Sequence, residues 1–150
     1  MKRTSLASFD CSIAQTLEVV GDPWTLLIVR DVFFGVRRFD DLRRSLGIPR
    51  ATLSSRLGAL VADGVLSRRE YAEHPPRHEY VLTKKGRSLS PVLIAMLQWG
   101  DEWSGVDDPP VTLLDSDTGE QIHAQFVDQM SGRPLTELRI ERRHRRPLLS

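Results

Sequence analysis

Apolar residues recur at helical spacing through the first third of the chain, and turn residues separate the apolar segments. This periodicity predicts four helices, over residues 12–20, 24–34, 39–46 and 49–63. The positions expected to face a core are Leu27, Ile28 and Val32 in the second helix, Phe39, Leu42 and Leu46 in the third, and Leu53, Leu57, Leu60 and Val61 in the fourth. The pattern therefore predicts a helical core in the N-terminal half.

Several helix ends carry recognisable signals. Ser12-Ile-Ala-Gln15 fits a capping box at the start of the first helix. Asp22 and Pro23 fit the N-cap and the first position of the second helix, because proline has no backbone N–H that would be left unbonded there. Gly47 fits the end of the third helix, so the third and fourth helices are joined by a very short turn.

Beyond residue 65 the pattern changes first to strand-forming residues and then to a long apolar segment. Residues 66–71 and 78–83 are rich in strand formers, and the intervening Pro75-Pro76 cannot extend a ladder of hydrogen bonds, so a hairpin is predicted. A fifth helix is predicted from Lys84 to about Trp103, with apolar residues on more than one face. We expect a second copy of the chain to cover the excess, at Leu89, Leu93, Met96, Trp99 and Trp103. Packing within the chain or under its tail is the alternative.

The composition changes again after Gly105. Asp107-Asp-Pro-Pro110 has the character of a linker, and residues 111–114, 121–127 and 135–140 are predicted to be three short strands. Turns are expected at 117–119 and 130–133. We therefore expect two domains, residues 1–105 and a small β-rich extension at 106–150. The extension ends in a basic segment, residues 142–146, which is expected to be disordered rather than a DNA contact.

Charge is distributed unevenly along a chain whose net charge is only +1. Residues 37–87 contain twelve Lys and Arg against six Asp and Glu, whereas residues 105–150 contain six against eight. A local basic excess indicates a polyanionic partner, although a solvated basic surface remains the alternative. The basic segment coincides with the third and fourth helices and the hairpin.

The third and fourth helices have the lengths and the short connection of a helix-turn-helix. Opposite its leucines, the fourth helix carries small or hydrogen-bonding residues near its N-terminal end, where a recognition helix enters the major groove. A hairpin directly after a recognition helix is a wing, which contacts the DNA backbone or minor groove. The candidate DNA-binding residues are Arg50, Ala51, Ser54, Ser55 and Arg56 in the helix and Arg68, Arg69, Arg77 and His78 in the wing.

Residues 11–103 resemble the HxlR-type transcriptional regulators, which are winged-helix relatives of the MarR group. The motifs that carry the resemblance are Gly-Asp-x-Trp before the second helix, Arg38-Phe39, Leu53-Ser-x-Arg-Leu57 and Pro-Pro-Arg-x-Glu-Tyr-x-Leu-Thr in the wing. The resemblance implies an α+β, mainly α, winged helix-turn-helix protein. It also implies a homodimer, with the first helix as a second contributor, that binds inverted-repeat operators in double-stranded DNA. Some relatives carry zinc-ribbon Cys-Gly knuckles where this chain has Thr118-Gly119 and Ser131-Gly132, so no metal is predicted.

Cys11 is the only cysteine, which excludes an intrachain disulfide and a zinc site built from several cysteines. It precedes a predicted helix start, where the helix dipole favours a thiolate, and some members of the resembled family sense oxidants with a cysteine at about this place. A redox or small-molecule effector is therefore one hypothesis. The other is that Cys11 is an ordinary small apolar residue.

Enzymatic and membrane functions find little support in the sequence. The four histidines are scattered, and no nucleophile-elbow serine or glycine-rich phosphate loop is present. No apolar stretch is long enough for a signal peptide or a membrane span, which predicts a cytoplasmic protein. We therefore predict a DNA-binding regulator that is not an enzyme and needs no cofactor. The main alternative is a protein-interaction module that has lost DNA binding.

Overall fold

The computed structural model describes residues 4–105 and 107–143. The chain divides into two compact units, Met1–Gly100 and Asp101–Ser150. The elements, in chain order, are α1 (Ser12–Val20), α2 (Thr25–Phe33), α3 (Phe39–Leu46), α4 (Arg50–Ala62), β1 (Leu66–Glu73), β2 (Pro76–Leu82), α5 (Lys84–Arg87), α6 (Ser90–Trp103) and a 3-10 turn (Leu135–Glu137). A short helical pair followed by a two-stranded hairpin is a winged helix-turn-helix, which confirms the predicted fold class.

A single hydrophobic cluster holds the first unit together. Its buried members are Ile28, Val29, Val32, Leu42, Ile48, Leu53, Leu57, Leu60, Val65 and Leu66. They come from α2, α3, α4, the first residue of β1 and the short connections between these elements. Leu27 and Val61 were predicted to join them, but each is more than a third exposed. Each lies one residue, or about 100° of helical rotation, from the buried face, and this places it at the margin of that face.

The starts of the first two helices differ from the prediction. The capping box is wrong: Cys11 is the N-cap of α1, no side chain caps the helix, and Ser12 is already helical. The Gln15 side-chain amide instead donates to the carbonyl oxygens of Ala7 and Phe9, at 3.1 and 3.0 Å. Asp22 was predicted to be the N-cap of α2 and Pro23 its first residue, and this is wrong, because α2 begins at Thr25 with Trp24 as its N-cap. Asp22 instead accepts a hydrogen bond from the Trp24 amide at 2.9 Å in the turn before the helix.

The turn between α3 and α4 and the hairpin after α4 have the predicted form. Gly47 ends α3 with a left-handed backbone, at a φ of 63°. Strands β1 and β2 are antiparallel, with a register that runs from Leu66 opposite Leu82 to Glu73 opposite Pro76 and an irregularity between Glu70 and Ala72. The ladder therefore extends closer to the proline tip than expected.

The junction between the hairpin and α5 is tightly closed against the end of α4. The Thr83 hydroxyl donates to the carbonyl oxygen of Gly64 at 2.5 Å and accepts from the Gly86 amide at 3.0 Å. Gly86 is buried, and a Cβ atom on this residue would clash with the Val65 carbonyl oxygen and lie 2.9 Å from the Leu82 side chain. Glycine is therefore required at position 86 by close backbone approach.

The prediction of a single fifth helix from Lys84 to about Trp103 is wrong. Helix α5 ends at Arg87, the Leu89 amide bonds to the Gly86 carbonyl oxygen at 3.1 Å, and a new helix starts at Ser90. Pro91 explains the break, because it lacks the N–H that would bond the Arg87 carbonyl oxygen in a continuous helix and its ring would clash with that oxygen.

Residues 107–143 of the C-terminal unit form turns, among them the 3-10 turn, rather than the three predicted strands. Within residues 107–143 the extended pairing is limited to two isolated bridges, Leu114 with Gln121 and Val127 with Pro134. Each bridge closes a loop whose glycine, Gly119 or Gly132, has a left-handed backbone, so the two predicted turns are confirmed. Most of the basic segment predicted at the C-terminus lies outside the described residues.

Aspartate side chains organise the two loops in the same way. Asp115 accepts from the Asp117 amide, and Asp128 accepts from both the amide and the hydroxyl of Ser131, at 2.8, 2.8 and 2.6 Å respectively. The Ser131 hydroxyl lowers the pKa of the Asp128 carboxyl, and the Ser131 amide adds to this effect. Hydrogen bonds within each loop therefore help to hold the two turns.

We predict that Gly86→Ala destabilises the first unit by about 1–3 kcal/mol, because the added methyl group overlaps the Val65 carbonyl oxygen. Gly58→Ala is the matched control: it lies within α4 with open space around its Cα. Alanine there should raise the free energy of unfolding by about 0.5–1 kcal/mol through helix propensity. Urea denaturation measures both changes, and equal stabilities of the two variants would contradict the packing at the hairpin junction.

Candidate nucleic-acid interface

The recognition-helix residues predicted from the sequence lie on one exposed face of α4, apart from Arg56. Arg50, Ala51, Ser54 and Ser55 are exposed, whereas Leu53 and Leu57 are buried on the opposite face. The exposed face therefore carries two small hydroxyl groups, a methyl group and one guanidinium group at its N-terminal end. Its low profile allows a close approach to the floor of a major groove.

Arg50 is exposed but does not extend freely into solvent. Its guanidinium carbon lies 5.0 Å from the centroid of the Phe39 ring, and its Nη1 atom lies 3.8 Å from Oδ1 of Asp40. Both partners belong to the first turn of α3. The first residue of the recognition helix is thus held in place by the preceding helix of the helix-turn-helix.

Arg56 has a different environment from the other candidates on α4. Its Nη2 atom lies 3.3 Å from Oδ2 of Asp22, and its Nε atom is buried without a hydrogen-bond partner within the described residues. Asp22 uses its other oxygen to cap the Trp24 amide. One carboxylate therefore joins the start of α2 to the middle of α4, and Arg56 serves this connection.

Of the four wing candidates, two have ion-pair partners on the facing strand and two have none within the described residues. Arg69 binds Glu79 on the facing strand through its Nε and Nη2 atoms, and His78 lies 3.7 Å from Glu70. The hydrogen bond from Arg69 lowers the pKa of the Glu79 carboxyl, and the charges of Arg37 and Arg38 contribute further. Arg68 and Arg77, by contrast, are exposed and form no ion pair within the described part of the chain.

Residues 37–39, at the end of the connection from α2 and the start of α3, contact both the wing and the recognition helix. The Tyr80 amide in β2 donates to the Arg37 carbonyl oxygen at 2.8 Å. The Arg38 guanidinium carbon lies 4.4 Å from the centroid of the Tyr71 ring in β1, while Phe39 lies under Arg50. The sequence indicated Arg38-Phe39 only as part of a family motif, because the partners of these two residues, Tyr71 and Arg50, are distant along the chain.

An open cleft lies between α3 and the wing. It is lined by Arg38, Phe39, Asp40, Asp41, Tyr71, Arg77 and His78. Cationic and aromatic groups predominate in this lining, and the unpaired Arg77 is among them. Within residues 4–105 and 107–143, no cluster of three or more His, Cys, Asp or Glu side chains is placed to hold a metal ion.

The predicted interface residues of the last helix also divide into two groups. Leu89 and Leu93 pack against the core of the first unit, so most of their surface is already covered within the chain. Met96, Trp99 and Trp103 are exposed, the two tryptophans by 68% and 66%. Cys11 is exposed at the start of α1.

A family model supplies the deciding comparison for this arrangement. The model described as HxlR-like helix-turn-helix matches residues 19–108. The chain belongs to the HxlR-like helix-turn-helix family. The matched residues include α2 to α6 and the wing, so the resemblance deduced from the motifs is confirmed.

HxlR-like relatives agree in sequence and in structure. An uncharacterized HTH-type transcriptional regulator of Mycobacterium tuberculosis is 46% identical over 126 residues, which cover 83% of this chain and 80% of the relative. The crystal structure of PA1607, assigned as a transcription factor, has a TM-score of 0.81 and 38% identity, and the match covers 93% of this chain and 100% of that one. The redox regulator HypR in its reduced form has a TM-score of 0.60 and 33% identity, over 63% of this chain and 95% of its own.

These comparisons identify the HxlR-like chain as a DNA-binding transcriptional regulator of the helix-turn-helix class. The helix-turn-helix, the wing and the regulatory class were all predicted from the sequence, and they are confirmed. None of the helices in the described ranges has the length and apolar character needed to cross a membrane.

We predict that Asp22→Ala lowers the free energy of unfolding of this HxlR-like protein by about 1–3 kcal/mol, because it removes both the cap on Trp24 and the partner of Arg56. Asp22→Asn can retain the cap while losing the charge, so it should cost less than Asp22→Ala. Urea denaturation of both variants measures the difference. Wild-type stability in Asp22→Ala would contradict the proposed role of this carboxylate.

Proposed function

We propose that the protein acts as a homodimer that reads an inverted-repeat operator, with α4 in the major groove and the β1–β2 wing along the DNA backbone or minor groove. The observation that carries this proposal is the exposed N-terminal face of α4 beside a wing with two unpaired arginines. A groove-binding helix needs small residues that allow close approach, and a backbone-binding wing needs cations that are free to meet phosphate.

We propose different roles for the candidate residues from their position as well as their pairing, because Arg50 lies 3.8 Å from Asp40 but remains 71% exposed at the N-terminal end of α4. Arg50, at the end of α4 that enters the groove, is proposed to read a guanine through its two acceptors, and Ser54 and Ser55 are proposed to hydrogen-bond base edges or phosphates nearby. Arg68 and Arg77 are proposed to bind phosphates. Arg56, Arg69 and His78 have partners within the chain, so we propose that they position these elements rather than contact DNA directly.

The proposed homodimer uses the apolar surfaces of α1 and α6. Ile13 and Leu17 of α1 and Met96, Trp99 and Trp103 of α6 are all exposed, which is a larger set of apolar side chains than isolated surface residues require. Leu89 and Leu93 are assigned to the core instead, because they already pack against it. The interface is therefore proposed to lie toward the C-terminal part of α6.

A redox effector is the part of the proposal supported by comparison. HypR, a redox regulator with solved reduced and oxidised forms, is similar to this chain at TM-scores of 0.60 and 0.58. Cys11 is exposed at the N-cap of α1, one of the two helices proposed to form the dimer. We propose that modification of this thiol would act through the dimer. Catalysis is no part of the proposed function, and the proposed location is the cytoplasm.

The homodimer predicts a mass of about twice 17.0 kDa in sedimentation equilibrium at about 10 μM chain. Trp99→Glu should shift the protein toward monomer, because a charge would then enter a dehydrated apolar interface. Val61→Glu is the control, since it places the same charge on an exposed apolar position of α4. A wild-type monomer at this concentration would contradict both the dimer and the reading of an inverted repeat.

The proposed DNA contacts predict opposite signatures for Arg77→Ala and Arg50→Ala. An operator is first selected from a pool of random duplexes with the wild-type protein, and affinities are then measured at several salt concentrations. Arg77→Ala should weaken operator and random DNA alike and lower the salt slope by roughly 0.9 for each phosphate that the wing no longer neutralises. Arg50→Ala should cost about 1–3 kcal/mol on the operator and relax the preference for one base pair in each half-site.

Arg139→Ala provides the control for net charge, because it removes one exposed cation from the C-terminal unit. Its salt slope should match that of the wild-type protein. Unchanged affinities and an unchanged slope for Arg77→Ala would exclude the wing as a DNA contact. Failure of the wild-type protein to bind duplex DNA at low salt would instead favour an interaction module that has lost DNA binding.

A further inference from the structure

An exposed carboxylate lies within the basic surface proposed to bind DNA. Asp40 is the second residue of α3, and its side chain is 79% exposed. It lines the open cleft together with Arg77 and His78 of the wing. Asp41 also lines this cleft. Because a negative charge at this place opposes the approach of phosphates, the Asp40 carboxylate is expected to weaken contacts of this surface with phosphate.

The contacts of Asp40 point to Arg50. Its Oδ1 atom lies 3.8 Å from Arg50 Nη1, whereas the neighbouring Asp41 pairs with Arg44 at 3.4 Å. The Phe39 ring approaches the same Arg50 guanidinium group, with its centroid 5.0 Å from the guanidinium carbon. Two consecutive residues of α3 therefore hold one side chain of the recognition helix, one by charge and one by its aromatic ring.

We propose that Asp40 is a specificity-determining residue, which competes with DNA for the Arg50 guanidinium group and disfavours contacts of Arg50 with phosphate alone. This inference rests on the proposed function. When Arg50 binds a single phosphate, it exchanges its ion pair with Asp40 for another ion pair, so the net gain in binding energy is small, and the Asp40 carboxylate repels the phosphate. When Arg50 binds a guanine, two hydrogen bonds replace the ion pair with Asp40. We therefore propose that only the correct base pair binds Arg50 favourably.

The proposal predicts that Asp40→Asn tightens binding to random duplex DNA by about 3- to 10-fold at low salt, the range expected for one exposed charge. Binding to the selected operator should tighten by less than about 2-fold, because Arg50 already has its guanine partner there. The ratio of operator to random affinity therefore falls. Asp63→Asn is the matched control, since it removes the same charge at the opposite end of α4 and should leave the ratio unchanged.

A double variant separates competition for Arg50 from simple repulsion. In an Arg50→Ala background the carboxylate has no guanidinium group to hold, so Asp40→Asn should no longer lower the ratio of operator to random affinity. A residue needed only for folding would not lose its effect in this background. Thermal unfolding of each variant checks that the fold is retained.

Three results would overturn the inference, and they have different meanings. If Asp40→Asn still lowers the ratio of operator to random affinity in the Arg50→Ala background, Asp40 acts by repulsion and does not compete for Arg50. If Asp40→Asn, like Asp63→Asn, leaves the ratio of operator to random affinity unchanged, Asp40 does not determine specificity. The proposal that α4 and the wing bind DNA is not affected by this result. If the wild-type protein selects no sequence from the random pool, the proposed function fails, and this inference fails with it.

Discussion

The buried leucines of α4 determine which side of this helix can meet DNA. Leu53, Leu57 and Leu60 belong to the same hydrophobic cluster as Ile28 of α2 and Leu42 of α3. Because these residues recur every three or four positions, their burial leaves the opposite face of α4 exposed along its length. Truncation of any one of them to alanine would cost about 2–5 kcal/mol, which is a large share of the stability of a small domain. The same packing therefore stabilises the fold and orients the recognition helix.

Arginine side chains connect this core-anchored helix to the rest of the first unit. Arg56 joins α4 to the start of α2 through Asp22, while Arg38 and the neighbouring Phe39 connect the wing to the first turn of α4. The exposed contacts of Arg38 and Phe39 are individually weak and matter through geometry more than through stability, whereas the partly buried pair of Arg56 and Asp22 also stabilises the fold. They restrict the position of the wing relative to α4, so the DNA-binding surface proposed for these two elements would be organised before DNA arrives.

The sequence predicted the elements of this surface well because the relevant signals are local. Phe39 and Gly47 mark the ends of α3, and helical periodicity identifies the buried leucines of α4 without knowledge of the partner helices. Partners distant in sequence were not accessible in the same way. The pairing of Arg56 with Asp22, 34 positions apart, depends on how α2 and α4 cross, so Arg56 could not be distinguished from the free arginines. The break at Pro91 had a local signal, but the apolar periodicity across it suggested one continuous helix. The prediction of three strands in the C-terminal unit was wrong because short apolar segments have the same pattern in loops as in strands.

Amide hydrogen exchange, measured on the protein with and without its selected operator, locates the DNA contact without any substitution. If α4 and the wing bind DNA, binding should slow exchange most in two segments of the first unit, the start of α4 around Arg50 to Ser55 and the tip of the wing around Arg77. Unchanged exchange in both segments, with protection confined to residues 107–143, would show that neither α4 nor the wing is the DNA contact.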